Sequence, residues 1–337
     1  MIDRTRPLRF ATFNLESLGT EKEPTAPLSE RLAILRPQLQ RLRADILCLQ
    51  EVDAQRSEAE DGDVHRRVEA LDRLLEDTSY AKFHRAVSLG LSGRRPADRH
   101  NLVILSRWPL VAWESLHHRL VPPLRMSLAT GRPYGSETEL QWDRPLLRAT
   151  VNLPDERPLH LINLHLRAPL AAPVPGQRAD GVWNSVAGWA EGFYLASMKR
   201  AGQALEARLV VEELLDLEPD ALVLVAGDLN AEEGEVPVRI LRGAASDVEA
   251  PALAGRELLS LTRSLSPEQR FSLLYNGRRS LYDHLLASPS LAGRFIRCEI
   301  HNEALYDQGA LPTGSPHSFH APVLAEFAAG ESAASSS

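Results

Sequence analysis

Short apolar runs recur along the whole chain at the lengths of β-strands. Two of them, 45–50 and 221–226, are almost continuously apolar, as expected for strands covered on both faces. Runs 146–151 and 159–164 predict a hairpin, because only a short turn with two prolines separates them. The predicted strands are 8–13, 45–50, 102–105, 146–151, 159–164, 221–226, 281–287, 295–300 and 322–327.

Helical patterns lie between these runs. Ser29 is predicted to cap a helix that carries one stripe of leucines, and Pro37 within that pattern predicts a kink or a break. Further helices are predicted over 64–76 and 192–217. Because helices alternate with strands and at least one strand pair is a hairpin, the pattern predicts an α/β protein with mixed sheets.

The chain has no Gly/Ser-rich linker, so one domain is predicted over 1–329, followed by a disordered tail over 330–337. Two segments, 86–100 and 168–188, fit no regular pattern. Long irregular loops in compact domains are often binding loops, and we expect that role for both.

Composition excludes several classes of protein. A formal net charge of −7 argues against a protein that coats nucleic acid. Two cysteines form neither a disulfide framework nor a zinc site of usual spacing, and Cys48 lies in an apolar run as a small buried residue would. Without an apolar leader or an apolar run of about 20 residues, we expect a cytoplasmic protein without a membrane span, and no protein partner is predicted.

The clearest chemical signal follows the predicted strand 221–226. Gly227 lets the backbone leave the sheet, and Asp228 and Asn230 come next. If the extended form persists, both side chains point the same way and are able to hold a water molecule and a phosphoryl oxygen. Taken alone, an Asx turn after a strand is an equally good interpretation.

Two further strands end in residues suited to a cation. Glu51 follows the predicted strand 45–50, and Mg²⁺ prefers one or two carboxylates plus water. Asn14 follows the first predicted strand, where its amide is able to complete the shell of a cation or to bond a ligating carboxylate. Taken alone, a solvated strand end and a turn are the simpler interpretations.

Two histidines and one further aspartate are the remaining candidate site residues. His165 ends a strand and is able to donate to a phosphate oxygen, although a satisfied core histidine is an even alternative. Asp283 and His320 come from separate predicted strands. Such a pair forms a couple in which the carboxylate selects the imidazole tautomer and raises its basicity.

Together these segments resemble the endonuclease/exonuclease/phosphatase family. The strings that carry the likeness are Thr-Phe-Asn-Leu, Leu-Gln-Glu-Val, Asn-Leu-His-Leu, Gly-Asp-Leu-Asn, Tyr-Asp-His-Leu-Leu and His-Ala-Pro-Val, in that order within residues 8–328. The resemblance implies a four-layered αββα sandwich in which two mixed β-sheets pack face to face. It also implies a metal-dependent phosphoesterase whose functional residues meet at one rim.

The resemblance also implies a role for each site residue. The metal, Mg²⁺ or Mn²⁺, would be held by Asn14 and Glu51. Asp228 would orient or deprotonate the attacking water. The phosphoryl oxygens would be held by Asn230 and His165, while His320, paired with Asp283, would stabilise the charged transition state or transfer a proton.

One position departs from the family pattern. The family usually has Ser-Asp-His before the final Pro-Val, whereas this chain has Phe319 in place of the Asp. The missing carboxylate is a second-tier metal or water contact in family members, so its loss puts a two-metal mechanism in doubt. His317 and His284 are candidates to compensate for it. Arg200, in an Arg-x-x-Gln pattern, either meets a phosphate or lies on a solvated helix face.

Three functions follow from these observations. The first is a phosphodiesterase, most simply a nuclease that hydrolyses DNA or RNA with an activated water. The second keeps the chemistry and changes the substrate, as in a phosphatase or a phospholipase-type phosphodiesterase on a small or lipid phosphoester. The third is a catalytically weakened binding module of the same fold.

Overall fold

The strands and helices are taken from a computed structural model that describes residues 6–22, 25–58, 64–312 and 314–330. The strands are β1 (Leu8–Leu18), β2 (Ile46–Val52), β3 (Gln55–Glu58), β4 (Val64–Arg67), β5 (His84–Val87), β6 (Asn101–Ser106), β7 (Leu110–Leu116), β8 (Leu124–Ser127), β9 (Glu137–Leu140), β10 (Leu146–Asn152), β11 (Pro158–His165), β12 (Arg178–Ala179), β13 (Val182–Trp183), β14 (Leu222–Asp228), β15 (Leu259–Ser260), β16 (Leu273–Tyr275), β17 (Arg278–Ser280), β18 (Asp283–Ala287), β19 (Phe295–Ile300) and β20 (Val323–Phe327). The helices are α1 (Leu28–Leu42), α2 (Glu69–Leu75), α3 (Val186–Leu217), α4 (Val236–Arg242), α5 (Ala245–Val248) and α6 (Pro289–Ala292), with short 3₁₀ turns at Ser79–Lys82, Pro251–Arg256, Leu261–Ser264 and Gln308–Ala310.

Twelve of these strands form two six-stranded sheets. The first sheet has the order β19-β20-β1-β2-β6-β5, and the second has the order β15-β18-β14-β11-β10-β7. Each sheet contains one parallel pair at its centre, β1 with β2 and β11 with β14, while the other pairs are antiparallel. The predicted hairpin of β10 and β11 is confirmed.

The two sheets pack face to face, and helices cover their outer faces. Leu35 of α1 and Leu71 of α2 pack against the first sheet, whereas Val211 of α3 and Val238 of α4 pack against the second. Burying side chains of this size stabilises the fold by about 1.5–3 kcal/mol each. The predicted four-layered αββα sandwich of mixed sheets is therefore confirmed.

Alternation along the central strands explains this layering. Phe10 and Leu161 point into the core between the sheets, while Phe13 and Leu164 point outward to the helices. Because side chains alternate along a strand, one apolar strand supplies both interfaces. This is why the central runs are apolar throughout.

A buried polar layer joins the sheets near the ends of their central strands. The Asn163 amide nitrogen donates to the carbonyls of Leu49 and Val103 at 3.0 Å each, so it crosses from the second sheet to the first. The Gln50 amide nitrogen donates to Asn163 Oδ1 at 2.7 Å and to Thr12 Oγ1 at 3.0 Å. These bonds satisfy polar groups that would be costly to bury unpaired, and they hold the sheets in register.

Two helix predictions were wrong. The predicted helix over 64–76 is the strand β4 followed by the shorter helix α2, because antiparallel pairing of β4 with the preceding strand β3 overrides the helical pattern. Ser29 is not a cap, since α1 begins at Leu28 with Pro27 at the N-cap position. The helix also continues through Pro37 without a break.

Other boundaries moved by a few residues. The longest helix begins at Val186 rather than at 192, because the Ser185 hydroxyl caps it by accepting a bond from the Gly188 amide at 2.9 Å. The predicted irregular segment 168–188 contains the β12–β13 hairpin and the start of this helix.

Some predictions concern burial, the tail and membranes. Cys48 is buried as predicted. The predicted tail over 330–337 lies outside the described residues except for Gly330, so the domain bounds stay a prediction. In the described part of the chain, no helix combines the length and the apolar character needed to cross a membrane.

Candidate active site

The carboxyl ends of the four central strands meet at one edge of the sandwich. His165 on β11 stands beside Asp228 on β14, and Asn14 on β1 stands beside Gln50 on β2. A cleft of about 430 Å³ opens at this edge. The polar and charged residues at its floor are Glu16, Glu51, His100, Arg144, His165, Asp228, Asn230 and His320.

Asn14 links two carboxylates across the sheets. Its amide nitrogen donates to Glu51 Oε1 at 3.1 Å and to Asp228 Oδ2 at 3.0 Å. Its amide oxygen is turned away and accepts the backbone N–H of Glu16 at 2.8 Å. Of the two predicted roles, the geometry favours bonding a ligating carboxylate over completing the shell of a cation.

Glu51 presents an ionised carboxylate to the cleft. Its backbone is left-handed, with φ of 56°, at an irregularity in the pairing of β2, and this conformation redirects the side chain. The amide and hydroxyl of Ser17 both donate to Oε2 at 3.0 Å. Burial alone would raise the pKa of the Glu51 carboxyl. The rings of His165 and His100, which are protonated at the low pH where Glu51 titrates, and the Asn14 amide hold that pKa below its usual range.

His165 is a neutral imidazole between these carboxylates. Its Nε2 lies 3.5 Å from Glu51 Oε1 and 3.4 Å from Asp228 Oδ2. Burial and the nearby Arg144 guanidinium lower the pKa of His165 well below its ordinary value. A neutral ring carries one N–H, so it is able to donate one hydrogen bond into the cleft.

Asp228 and Asn230 form a tight turn at the end of β14. Asp228 Oδ1 accepts the Asn230 backbone N–H at 2.8 Å, and the Asn230 amide donates to Asp228 Oδ2 at 3.2 Å and to the Leu166 carbonyl at 3.0 Å. Asn230 is left-handed, with φ of 46°, so the extended form expected there does not persist. The Asx turn and the polar site are therefore the same feature.

Burial raises the pKa of the Asp228 carboxyl to about 7. The positive charge of His320 opposes that rise, and the negative charge of Asp283 adds to it.

Asp283 and His320 form the predicted couple. His320 Nδ1 lies 2.8 Å from Asp283 Oδ2, and its Nε2 faces Asp228 Oδ2 at 3.9 Å. Burial opposes a charge on this ring, but Asp283 and Asp228 raise the pKa of His320 well above its ordinary value. The pair therefore presents an imidazolium beside Asp228 at neutral pH.

The donor set fits a hard divalent cation. Within the described residues, ligand atoms of Glu51, His165 and Asp228 lie within 4.8 Å of one another, and so do those of Asp228, Asp283 and His320. Mg²⁺ and Mn²⁺ favour carboxylate oxygens with water, and the ionised Glu51 faces the cleft. Buried carboxylates in such numbers are costly unless a cation balances them.

Arg200 lies beside the site and outside the cleft floor. Its side chain is only 7% exposed, so the alternative of a solvated helix face is wrong. The guanidinium donates to the Asn230 carbonyl at 2.7 Å and so supports the turn that carries Asn230. A contact between Arg200 and a phosphate stays a prediction.

Neither candidate replacement for the missing carboxylate faces the cleft. His317 packs against Tyr306, with ring centres 4.1 Å apart, and bonds Ser315 at 3.2 Å. His284 bonds the Ala231 carbonyl at 2.9 Å. Phe319 is itself buried.

The sequence analysis missed three of the ionisable residues at the floor of the cleft. Glu16 follows Asn14 in the irregular end of β1, His100 precedes β6, and Arg144 precedes β10. His100 Nδ1 lies 3.1 Å from the Arg144 guanidinium, and burial lowers the pKa of His100 to about 4. No residue pattern in the sequence identified Glu16, His100 or Arg144 as cleft residues. The available signal was that each lies next to a strand of the two sheets.

Comparison with known proteins identifies the family of the chain. The sequence matches the model of the Endonuclease/Exonuclease/phosphatase family over residues 11–317. No curated protein matches the chain significantly.

Solved structures share the fold. Truncated TDP2 from Caenorhabditis elegans is 15% identical, with 95% of this chain and 97% of that chain covered and a TM-score of 0.54. An AP endonuclease from Archaeoglobus fulgidus is 17% identical, with coverages of 95% and 99% and a TM-score of 0.52. The 3′-5′ exonuclease NExo from Neisseria meningitidis is 18% identical, with coverages of 95% and 99% and a TM-score of 0.54. Because the family model spans nearly all of the chain, this protein belongs to the endonuclease/exonuclease/phosphatase family of phosphoric ester hydrolases.

Proposed function

We propose that the protein is a metal-dependent nuclease that hydrolyses phosphodiester bonds of DNA or RNA with an activated water. One observation carries this proposal. Glu51, His165, Asp228 and His320 come from four separate segments of the two sheets, and together they line one cleft. Phosphoryl transfer depends mainly on positioning and charge stabilisation, and such a constellation supplies both.

Asp228 is the residue that orients and deprotonates the attacking water. Its pKa of about 7 suits a general base near neutral pH. Hydrogen bonds from Asn14 and from Asn230 fix its carboxylate in one orientation. The water would therefore be held on a rigid carboxylate rather than on a mobile one.

His320 supplies positive charge where the transition state gains negative charge. Asp283 keeps its ring protonated and fixes which nitrogen faces the cleft. The neutral His165 donates a hydrogen bond to a phosphoryl oxygen. The Asn230 amide, which already donates to Asp228 Oδ2 and to the Leu166 carbonyl, holds the Asp228 carboxylate in place, and its predicted contact with a phosphoryl oxygen requires one of those bonds to be exchanged. These donors are held before the substrate arrives, so the reaction does not have to reorganise them.

Glu51 would hold the divalent cation, with Asn14 orienting its carboxylate. When bound, Mg²⁺ or Mn²⁺ supplies Lewis-acid stabilisation of the phosphate charge. The choice between these two ions is part of the proposal. A cytoplasmic location likewise stays a prediction.

Features of the cleft wall support a nucleic acid substrate. The β16–β17 hairpin lines one side with Tyr275 and Arg278, and the Arg278 side chain is 77% exposed. An exposed arginine is able to contact a backbone phosphate, and an aromatic ring offers a stacking face for a base. One similar solved structure is described as the 3′ phosphatase NExo bound to product DNA hairpin, at 18% identity and a TM-score of 0.51.

A substrate panel tests this proposal. Hydrolysis of bis-p-nitrophenyl phosphate, single- and double-stranded oligonucleotides, phosphoinositides and sphingomyelin is measured with Mg²⁺, Mn²⁺ or EDTA. His320→Gln is compared with His160→Gln, a histidine on β11 that bonds Thr150 and does not line the cleft. We expect metal-dependent oligonucleotide cleavage that His320→Gln lowers by about 100-fold or more and His160→Gln leaves unchanged.

Other outcomes identify the alternatives. Turnover of lipid headgroups without turnover of any oligonucleotide would replace the nuclease with a phosphatase or a phospholipase-type phosphodiesterase. Absence of turnover on every substrate would favour the catalytically weakened binding module.

A further inference from the structure

His100 is a histidine of the cleft to which no role has yet been given. Its backbone is left-handed, with φ of 56°, and its N–H donates to Asp53 Oδ1 at 2.8 Å. Such a backbone costs about 1 kcal/mol or more for a residue other than glycine, so its persistence here indicates that the surroundings enforce it. The bond to the buried Asp53 therefore holds His100 at the cleft, immediately before β6.

Both ring nitrogens of His100 have partners. Arg144 Nη2 lies 3.1 Å from His100 Nδ1, and Ser17 Oγ lies 3.1 Å from His100 Nε2. A guanidinium has only donors, so Nδ1 has to be an unprotonated acceptor. The single N–H of the neutral ring is then on Nε2, and it donates to the Ser17 hydroxyl. These two contacts therefore select one tautomer of His100.

A second arginine approaches the same ring. Arg99 Nη2 lies 3.3 Å from His100 Nε2, but a neutral imidazole has one acceptor nitrogen and is unable to accept from two arginines. The Arg144 contact is the one that persists, because the carbonyls of His165 and Leu166 fix its guanidinium at 3.1 and 3.3 Å from Nη1. The Arg99 side chain is 41% exposed and is able to bond water instead.

Ser17 extends this chain of hydrogen bonds to Glu51. Because the Ser17 hydroxyl accepts from the ring, its own hydrogen is available for Glu51 Oε2 at 3.0 Å, and the Ser17 backbone N–H donates to the same oxygen at 3.0 Å. These two bonds occupy both lone pairs of Oε2. Among the described residues, Glu51 Oε1 accepts one hydrogen bond, from Asn14 at 3.1 Å. Oε1 therefore keeps one lone pair for a further partner.

We propose that His100 and Ser17 are positioning residues that link Arg144 to Glu51 and leave Glu51 Oε1 as the oxygen that binds the divalent cation. The inference rests on the proposed function, since it assumes that a cation binds at Glu51. The link also joins the two sheets at the cleft, because Arg144 precedes β10 whereas Ser17 belongs to β1. Hydrogen bonds to a ligating carboxylate orient it and strengthen its hold on the metal.

Metal titration by calorimetry tests this link without relying on turnover. Mn²⁺ binding is measured for the wild type, His100→Leu, Ser17→Ala and the control His160→Leu, which removes a half-buried histidine that bonds Thr150 outside the cleft. We expect His100→Leu and Ser17→Ala each to weaken Mn²⁺ binding by about ten- to a hundredfold. The control should bind Mn²⁺ as the wild type does.

A conservative variant separates the hydrogen bonds from the bulk of the ring. The amide of His100→Gln has an acceptor for Arg144 and a donor for Ser17, so its Mn²⁺ affinity should lie within about threefold of the wild type. An affinity as weak as that of His100→Leu contradicts the link.

The variant Glu51→Gln distinguishes failure of this inference from failure of the proposed function. Wild-type affinity in both His100→Leu and Ser17→Ala, with a loss in Glu51→Gln, overturns the inference and leaves the proposed function standing. A wild type that binds no Mn²⁺ and hydrolyses no phosphoester overturns both.

Discussion

Asp283 Oδ2 lies 2.8 Å from His320 Nδ1. Asp283 belongs to β18 of the second sheet, whereas His320 lies just before β20 of the first sheet. The other ring nitrogen of His320 faces Asp228. The couple therefore bridges the two sheets and fixes the orientation of the ring. Because both neighbouring carboxylates raise the pKa of His320, the charged form is present below that raised pKa and is lost as the pH rises through it.

Replacing Asp283 by asparagine should move the alkaline limit of activity to lower pH. Without the carboxylate the pKa of His320 falls, so the imidazolium is lost at a lower pH. We expect the alkaline limb of the kcat profile to move to lower pH and kcat at neutral pH to fall by about 100-fold or more. A pH–rate profile of phosphodiester hydrolysis measures both effects.

The control for this prediction is Asp220→Asn, an exposed aspartate that pairs with Arg157 outside the cleft. Its profile should match that of the wild type. An alkaline limb that stays in place in Asp283→Asn would mean that Asp283 does not set the charge of His320.

Gly227 is required by the close approach of two backbones. Its φ is 138°, and a Cβ built there would lie 1.9 Å from the Leu164 carbonyl oxygen. Gly227→Ala must therefore push apart the parallel strands that carry His165 and Asp228. We expect the free energy of unfolding to fall by at least about 3 kcal/mol, as measured by urea denaturation.

Gly234 provides the comparison for Gly227. A Cβ at Gly234 would have no heavy atom within 4 Å, so Gly234→Ala should change the free energy of unfolding by no more than about 0.5 kcal/mol. Equal stabilities of the two alanine variants would refute the steric argument.

The amide layer beneath the site should contribute to stability. Asn163→Leu removes the donor from the buried carbonyls of Leu49 and Val103, at a cost of about 1–3 kcal/mol for each carbonyl. Urea denaturation in metal-free buffer measures this loss. Asn152→Leu, at an exposed strand end, should lie within about 0.5 kcal/mol of the wild type, and a similarly small effect at Asn163 would contradict a bridging role.

Much of the layered fold was predictable because the central strands carry a regular signal. Apolar residues on both faces predict strands covered on both sides, and Phe10 and Phe13 illustrate how one strand serves two interfaces. The helix predicted over 64–76 failed because β4 is stabilised by pairing with β3, and local periodicity does not report such a pairing.

The site was predictable only in its outline. Glu51, Asp228 and His320 stand at or next to strand ends that the pattern located. The direction of their side chains was not predictable, because the left-handed backbone of Glu51 and of Asn230 is imposed by tertiary contacts. Glu16 entered the site in the same way, through the left-handed backbone at the end of β1.

The most direct test of the central claim is Mg²⁺-dependent cleavage of an end-labelled oligonucleotide by the wild type and by Asp228→Asn. Asp247→Asn serves as the control, since Asp247 is exposed on α5 and pairs with Arg239. We predict that the wild type and the control cleave the oligonucleotide and that EDTA abolishes this cleavage. The rate of Asp228→Asn should be lower than that of the wild type by about 10²–10⁴-fold. Cleavage that persists in EDTA, or that Asp228→Asn leaves at the wild-type rate, would contradict a metal-dependent nuclease built on this cleft.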